Sequence, residues 1–182
     1  VAGYEADDVI GTLATEAGRQ GIITYMMTPD KDYGQLVSDK VFMYRPKHTG
    51  GFEVMGVDEV KAKFDIQSPA QVIDMLGLMG DSSDNIPGCP GVGEKTAQKL
   101  IAEFGSIENL LEHTDQLKGA LKTKVETNRE MITFSKFLAT IKIDVPIQLE
   151  MDSLVREEAD EDSLRSIFEE LEFRTLIDRV LK

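Results

Sequence analysis

The chain has 182 residues, 41% of them hydrophobic, which is enough for one sizeable core; its single cysteine, Cys89, excludes an intramolecular disulfide and a cysteine-based zinc site. No apolar run approaches the roughly 20 residues that cross a bilayer, and no signal peptide is recognisable, so a cytoplasmic protein without a membrane partner is expected. The net charge of −13 argues against a uniformly basic nucleic-acid-binding surface, but residues 150–182 alone carry −6 of it.

The first part of the chain alternates between helical and extended patterns. In chain order the predicted elements are a helix over 6–19, a strand over 22–27, a short helix over 32–37, strands over 41–44 and 52–54, and a helix over 57–64. The run 22–27 is continuously apolar, which is typical of a strand buried on both faces of a parallel sheet. The order predicts an α/β fold with a partial parallel sheet flanked by helices.

Beyond Gly80 the sequence is almost entirely helical. Before Gly80, a helix is predicted over 70–79, with Ser68-Pro69 at its start; after Gly80, the predicted helices cover 100–104, 107–111, 117–125, 131–140 and 164–171. An extended connector containing Pro146 is expected over 141–149. We therefore divide the chain into an α/β part, residues 1–80, and a helical part, residues 81–182.

Seven carboxylates stand out because of where they fall in these elements. They are Glu5, Asp7 and Asp8 at the start of the first helix, Asp30 and Asp32 after the first strand, and Asp81 and Asp84 in a tight loop. In an open α/β sheet, the crevice beyond the carboxyl ends of the strands is where ligands bind. Each acid alone has an ordinary explanation as a helix cap, a first-turn residue or a turn former.

Convergence of these acids would have a chemical consequence. Carboxylates brought together without cations would repel one another strongly, and Mg²⁺ or Mn²⁺ would relieve that repulsion. Two such ions about 4 Å apart can activate a water molecule and stabilise a leaving oxygen at phosphorus. A calcium-binding EF-hand loop starting at Asp30 is excluded, because Gly34 comes one place early and Val41 occupies the position of the required Glu.

A glycine-rich turn follows the last acidic cluster. Gly91-Val92-Gly93 leads into Glu94-Lys95-Thr96-Ala97 at the start of a helix that also carries Lys99. Such a hairpin lets backbone N–H groups approach a phosphate without reading base sequence, so Gly91, Val92, Gly93, Lys95, Thr96 and Lys99 are candidate DNA-binding residues. A phosphate-binding P-loop is excluded because Lys95 follows the second glycine by two places and no strand precedes it. A purely structural helix-loop-helix is the alternative.

Four motifs together resemble the 5′ nuclease (PIN-like, flap endonuclease) family, which includes the 5′-3′ exonuclease domain of bacterial DNA polymerases. They are Gly3-Tyr4-Glu5-Ala6-Asp7-Asp8, Thr28-Pro29-Asp30-Lys31-Asp32, Gly80-Asp81-Ser82-Ser83-Asp84-Asn85-Ile86-Pro87-Gly88 and Gly91-Val92-Gly93-Glu94-Lys95-Thr96-Ala97. The resemblance covers essentially the whole chain. It implies hydrolysis of DNA at 5′ flaps, nicks and gaps with two Mg²⁺ or Mn²⁺ ions.

The resemblance also implies roles for single residues. Glu5, Asp7 and Asp8 would serve one metal position, and Asp30, Asp32, Asp81 and Asp84 the other, with Asp7, Asp30, Asp32, Asp81 and Asp84 as the catalytic set. The hairpin would hold the duplex backbone, with a K⁺ ion bound in its turn. A monomer joined to a polymerase domain in a longer chain is expected.

The sequence departs from the family pattern at its start. Family members begin with a strand that carries an Asp, and continue with a second metal-site Asp and a basic helical arch; we expect these to be missing here. Weak or absent catalysis with partly retained duplex binding is therefore expected. Two alternatives stay open: a non-catalytic helix-hairpin-helix module, which would not need metal near Asp81, and a phosphatase-like enzyme acting through Asp30. His48 and His113 receive no role.

Overall fold

The computed structural model describes residues 1–47 and 49–181; His48, which received no role above, lies outside the described residues. In chain order the described helices are α1 (Ala6–Arg19), α2 (Val57–Phe64), α3 (Val72–Met79), α4 (Glu94–Phe104), α5 (Ile107–Glu112), α6 (Gly119–Thr127), α7 (Arg129–Ala139), α8 (Glu161–Glu170) and α9 (Arg174–Val180). The strands are β1 (Thr24–Met27), β2 (Val41–Pro46) and β3 (Phe52–Met55). Across the described residues, each helix is too short or too polar to traverse a bilayer.

The three strands form a small mixed sheet in the order β1-β2-β3. β1 pairs with β2 in parallel, with Thr24 opposite Val41, whereas β3 returns antiparallel to β2. The antiparallel return follows from the short connection between β2 and β3, which is too short for a crossover. The predicted α/β class with helices beside a partly parallel sheet is confirmed.

Burial of β1 differs from the prediction. Only Met26 is buried, while Tyr25 is 53% and Met27 is 73% exposed, so the strand is buried on one face and not on two. Alternate residues of a strand point to opposite faces, and the second face carries stacked rings of Tyr25 and Phe42 with centroids 5.6 Å apart. The continuous apolar run was misleading because this second face is aromatic although it is accessible to solvent.

The helical boundaries follow local capping chemistry. α1 begins at its predicted residue because Asp8 accepts a hydrogen bond from the Glu5 N–H at 3.2 Å, half of a capping box. The predicted helix over 70–79 begins with a 3₁₀ turn, Pro69–Gln71, before the α-helical hydrogen bonds of α3 take over. Helix α9 was not predicted, since its seven residues are too few for a convincing apolar period.

One hydrophobic core runs from the sheet into the helical part. It includes Met43 of β2, Leu76 of α3, Ile101 of α4 and Ile132 of α7. The predicted connector after α7 is extended, and the Val145 N–H within it donates to the Thr12 hydroxyl oxygen at 3.2 Å.

Two compact units are distinguished by their internal contacts. Residues 1–149 form the first and residues 150–182 the second, which contains α8 and α9. The division into residues 1–80 and 81–182 stays a prediction, and buried core residues lie on both sides of it.

Candidate metal centre

Three of the predicted acids meet at one point. Carboxylate oxygens of Asp32, Asp81 and Asp84 all lie within 4.8 Å of one another. Asp32 and Asp81 are buried, with 7% and 6% exposure, whereas Asp84 is exposed. A cluster with two buried members and one open side has the form expected for a cation site that a substrate can reach.

Asp32 is positioned by a 3₁₀ helix, Lys31–Leu36, that follows β1. The helix starts where Asp30 caps it, accepting a hydrogen bond from the Asp32 N–H at 3.0 Å. Gln35 in the same turn donates to the Ala139 carbonyl at 2.9 Å and accepts from the Ile141 N–H at 2.9 Å. The segment bearing Asp32 is thereby joined to the end of α7.

Asp81 and Asp84 are positioned by a closed loop. Asp81 and Ile86 exchange two backbone hydrogen bonds of 2.9 and 2.7 Å, and Asp81 Oδ1 accepts a third from the Ser83 N–H at 2.9 Å. Gly80 and Gly88 make this closure possible. A Cβ at Gly88 would lie 2.3 Å from the Gly80 nitrogen, and both glycines have positive φ angles, 63° and 75°.

The two buried carboxyl groups have opposite electrostatic settings. Burial raises the pKa of Asp32 to about 6, in spite of the nearby Lys31 ammonium. Burial also acts on Asp81, but hydrogen bonds from Lys31 and from the Ser83 N–H outweigh it and hold the pKa of that carboxyl below its usual range. The negative charge of Asp32 is therefore less well compensated by its surroundings than that of Asp81.

Lys31 lies within the acid cluster and was not predicted as a site residue. Its ammonium forms an ion pair and hydrogen bond with Asp81 and lies 3.3 Å from Asp32 Oδ1. Asp32 Oδ1 is nevertheless buried without a hydrogen-bond donor among the described residues. The only sequence signal for Lys31 was its place between two acids.

The acids at the start of α1 line a cavity next to this cluster. Its lining includes Glu5, Asp7, Asp8, Asp32 and Asp84, and helix α7 and the connector after it complete the walls. The cavity thus connects the first acidic group with the second. Five of the seven predicted acids line this cavity, and their role as metal ligands stays a prediction.

Two of these acids already have protein partners. Asp7 accepts a hydrogen bond from the buried Tyr33 hydroxyl at 2.7 Å, and burial with this contact raises the pKa of Tyr33. Asp8 accepts from the Lys142 N–H at 2.9 Å as well as from Glu5. Tyr33 was missed by the sequence reasoning because nothing local links it to Asp7, 26 residues earlier.

Asp30 is not among the residues that line this cavity. It lines a second cleft together with Asp84, on the side of Lys31. Since one oxygen of Asp30 caps the 3₁₀ helix, its structural role is established, and metal ligation by Asp30 stays a prediction.

The donor set fits a hard divalent cation. Mg²⁺ and Mn²⁺ favour carboxylate oxygens, and Asp32 offers a buried oxygen that lacks a hydrogen bond. The excess of negative charge around that oxygen is the second requirement, and Asp30 and Asp81 supply it. The acids of the structure can therefore hold such an ion.

The predicted hairpin lies between α3 and α4. Gly91, Gly93, Lys95 and Lys99 are exposed, as an interface with DNA requires, and Thr96 is partly exposed. Val92 differs: its side chain is buried at 4% exposure and its N–H donates to the Cys89 carbonyl at 2.9 Å. It therefore anchors the turn to the core, and phosphate contact through Val92 stays untested.

Comparison with known proteins identifies the family of this chain. A model of the 5′-3′ exonuclease C-terminal SAM fold matches residues 67–162, and a model of the 5′-3′ exonuclease N-terminal resolvase-like domain matches residues 1–65. DNA polymerase I of Bacillus subtilis is 45% identical over 97% of this chain, and the thermostable DNA polymerase I of Thermus filiformis is 43% identical over 96%. The chain spans 20% of the length of each of these relatives.

Solved structures share the fold. T5 5′-exonuclease with bound zinc aligns with a TM-score of 0.68 and 23% identity, covering 76% of this chain and 51% of that one. The catalytic core of Rad2 aligns with a TM-score of 0.55 and 17% identity, covering 90% and 59%. Since a 5′-3′ exonuclease model matches more than half of the chain and a second matches most of the remainder, the chain belongs to the 5′-3′ exonuclease family.

Proposed function

We propose that this chain takes part in metal-dependent hydrolysis of DNA phosphodiester bonds, as a 5′-3′ exonuclease and 5′-flap endonuclease. The observation that carries the proposal is the buried Asp32 oxygen without a hydrogen bond, grouped with Asp81 and Asp84 within 4.8 Å. Such a group is costly to bury unless a cation compensates it, and the Lys31 ammonium, 3.3 Å from this oxygen, is shared with Asp81. Family membership then identifies the chemistry for which the cation is held.

The named relatives support DNA as the substrate. A T5 D15 flap endonuclease has been solved in a pseudo-enzyme-product complex with DNA and metal ions, and the Rad2 catalytic core with a DNA substrate. The polymerase relatives are about five times as long as this chain. We propose flapped, nicked or gapped DNA as the partner, and a polymerase domain in the same longer, monomeric and cytoplasmic protein.

The acidic residues would form two adjoining metal positions. Two Mg²⁺ or Mn²⁺ ions, when bound, would polarise the phosphodiester and activate water. Asp32, Asp81 and Asp84 would hold one position, with Asp30 beside it, and the group at the start of α1 would face the other. Lys31 holds Asp81 in place and would have to release it as a cation enters.

The hairpin would supply duplex binding. The N-terminal end of α4 favours an anion, although the Thr96 N–H already donates to the Gly93 carbonyl at 3.0 Å, and exposed Lys95 and Lys99 add positive charge. We also propose that a K⁺ ion binds in the turn formed by Gly91 to Gly93. Lys124 already contacts this turn, with its ammonium 3.4 Å from the Gly91 carbonyl.

The test compares the chain with Asp81→Asn and with a matched control, Asp39→Asn, whose side chain is exposed and lies away from the cavity. Mn²⁺ binding is measured by calorimetry, and cleavage by end-labelled 5′-flap DNA with Mg²⁺ or Mn²⁺. Mn²⁺ binding that is lost only in Asp81→Asn supports the metal centre. The same assay tests the expected weak or absent cleavage by this chain.

A non-catalytic helix-hairpin-helix module is the second candidate, and the exposed lysines of α4 favour it. It predicts DNA binding that is unchanged by EDTA and by Asp81→Asn. Absence of Mn²⁺ binding in the unsubstituted chain, with duplex binding intact, would select this module and contradict the nuclease proposal.

A further inference from the structure

Three cations converge on the cleft beside the acid cluster. The cleft, of about 400 Å³, is lined by Pro29, Asp30, Lys31, Arg45, Lys63, Ser83 and Asp84. The three cations come from separate elements: the 3₁₀ helix after β1, strand β2 and the last turn of α2. Their meeting is a product of the tertiary fold, since they span 33 positions of sequence.

Lys63 has no carboxylate partner within ion-pair distance among the described residues. Its ammonium lies 5.5 Å from the centre of the Phe64 ring, which orients the stem without neutralising the charge. Partial burial, and then the positive charges of Arg45 and Lys31, lower the pKa of Lys63, and the negative charges of Glu53 and Asp30 offset this only in part. This lysine is thus held close to two like charges.

Arg45 is only loosely neutralised. Its Nε lies 3.9 Å from Glu53, and one terminal nitrogen lies 3.8 Å from the Met55 sulfur, which is a weak acceptor. The remaining guanidinium N–H groups form no hydrogen bond to the described part of the chain. A planar guanidinium with free donors is suited to a phosphate oxygen pair.

The cleft is therefore lined by both acidic and basic side chains. Its acids are Asp30 and Asp84. Lys31 is already engaged by Asp81 and Asp32, whereas Lys63 has no ion-pair partner among the described residues and Arg45 has only the 3.9 Å contact with Glu53. Two cations held together with so little compensation are unfavourable unless an anion binds between them. The anion that lies naturally beside a metal centre for phosphodiester hydrolysis is the next phosphate of the same strand.

We propose that Arg45 and Lys63 form a phosphate-binding site that holds a backbone phosphate of the DNA strand adjacent to the one at the acid cluster. This rests on the proposed function for its substrate class. Ser83, which also lines the cleft, would offer its hydroxyl to the same phosphate. The pair acts on strand position and not on base identity.

The first experiment measures binding of a fluorescein-labelled single-stranded oligonucleotide by fluorescence anisotropy. The KCl concentration is varied between 50 and 200 mM in about equal steps, and each series is run once in EDTA and once with Mg²⁺. Lys63→Gln and Arg45→Gln are compared with Lys61→Gln, which removes the same charge from the same helix outside the cleft. We expect each cleft variant to weaken binding by about 3- to 10-fold and to lower the salt slope by about 0.7. The control should change binding by less than about twofold.

The second experiment separates an anion site from the nuclease proposal. Thermal unfolding is followed with and without inorganic phosphate as the probe. Without phosphate, Lys63→Gln should melt above the unsubstituted chain because one like charge is removed; with phosphate, the unsubstituted chain should gain more than the variant.

Each outcome decides the proposal. Equal DNA affinities of Lys63→Gln and Lys61→Gln would overturn it, as would phosphate stabilising Lys63→Gln as much as the unsubstituted chain. If the unsubstituted chain binds no DNA, the proposed function fails, and the phosphate melts alone decide whether the anion site exists.

Discussion

A buried ion pair between helices α3 and α7 provides a sharp test of how the fold supports the site. Lys136 of α7 contacts Asp74 of α3 at 2.6 Å and Glu108 of α5 at 2.8 Å. Asp74 is 4% exposed and also accepts a hydrogen bond from the Ile107 N–H at 2.9 Å. Replacing Lys136 by Met keeps most of the apolar stem but leaves the buried Asp74 carboxylate without its counter-ion.

The expected loss of stability depends on the interactions that Asp74 retains in the Lys136→Met variant. Removing one partner of a buried pair costs about 3–5 kcal/mol. Here the Ile107 hydrogen bond remains, and the 18% exposure of the Lys136 side chain shows that some water reaches the pair. We therefore expect Lys136→Met to lower the free energy of unfolding by about 2–3 kcal/mol.

The assay is urea unfolding followed by far-ultraviolet circular dichroism at pH 7. With a slope of about 2 kcal/mol per molar urea, the midpoint should fall by about 1 M. Glu108→Gln is the matched control: its partner is the same ammonium, but Glu108 is 63% exposed, so the loss should be below about 1 kcal/mol.

A double variant makes the reasoning refutable. Asp74→Asn retains an oxygen for the Ile107 N–H and removes the charge, so Asp74→Asn with Lys136→Met should be more stable than Lys136→Met alone. The explanation is wrong if Lys136→Met lowers the free energy of unfolding no more than Glu108→Gln does. It is also wrong if the double variant is less stable than Lys136→Met alone, because the buried Asp74 charge would then not be the cause of the loss.

Three further predictions concern the same architecture. In EDTA, Asp32→Asn should raise the melting temperature by about 2–4 °C, because it removes about 1 kcal/mol of repulsion, and it should abolish stabilisation by Mn²⁺ in differential scanning fluorimetry; a lower melting temperature in EDTA would contradict this. Gly88→Ala should cost more than about 2 kcal/mol in urea unfolding, since its Cβ would lie 2.3 Å from the Gly80 nitrogen, and an unchanged midpoint would refute the close approach. The third prediction concerns Glu108. Burial raises the pKa of its carboxyl group, but the hydrogen bond from Lys136 outweighs this effect and holds the pKa below its usual value. This stabilisation is therefore complete above about pH 4.3 and is lost as pH falls through the lower folded value, so the stability gap between the unsubstituted chain and Lys136→Met should narrow below about pH 4.

Local pattern was sufficient for most secondary structure. The boundaries of α1 and α2 were predicted to the residue, since apolar period, capping acids and terminal glycines act within a few positions. The order of elements also predicted the α/β class. The strand over 22–27 shows the limit: an apolar run does not say which of two faces the rest of the chain will cover.

The sequence by itself determined which carboxylates were available, because Asp and Glu in first turns, strand ends and tight loops are recognisable locally. Only the tertiary structure decided that Asp32, Asp81 and Asp84 meet while Asp8 and Asp30 are engaged as caps. Contacts across long stretches of sequence depend on how elements pack. For that reason the engagement of Lys31 by Asp81, 50 positions later, and of Lys136 by Asp74, 62 positions earlier, could not be read from the chain.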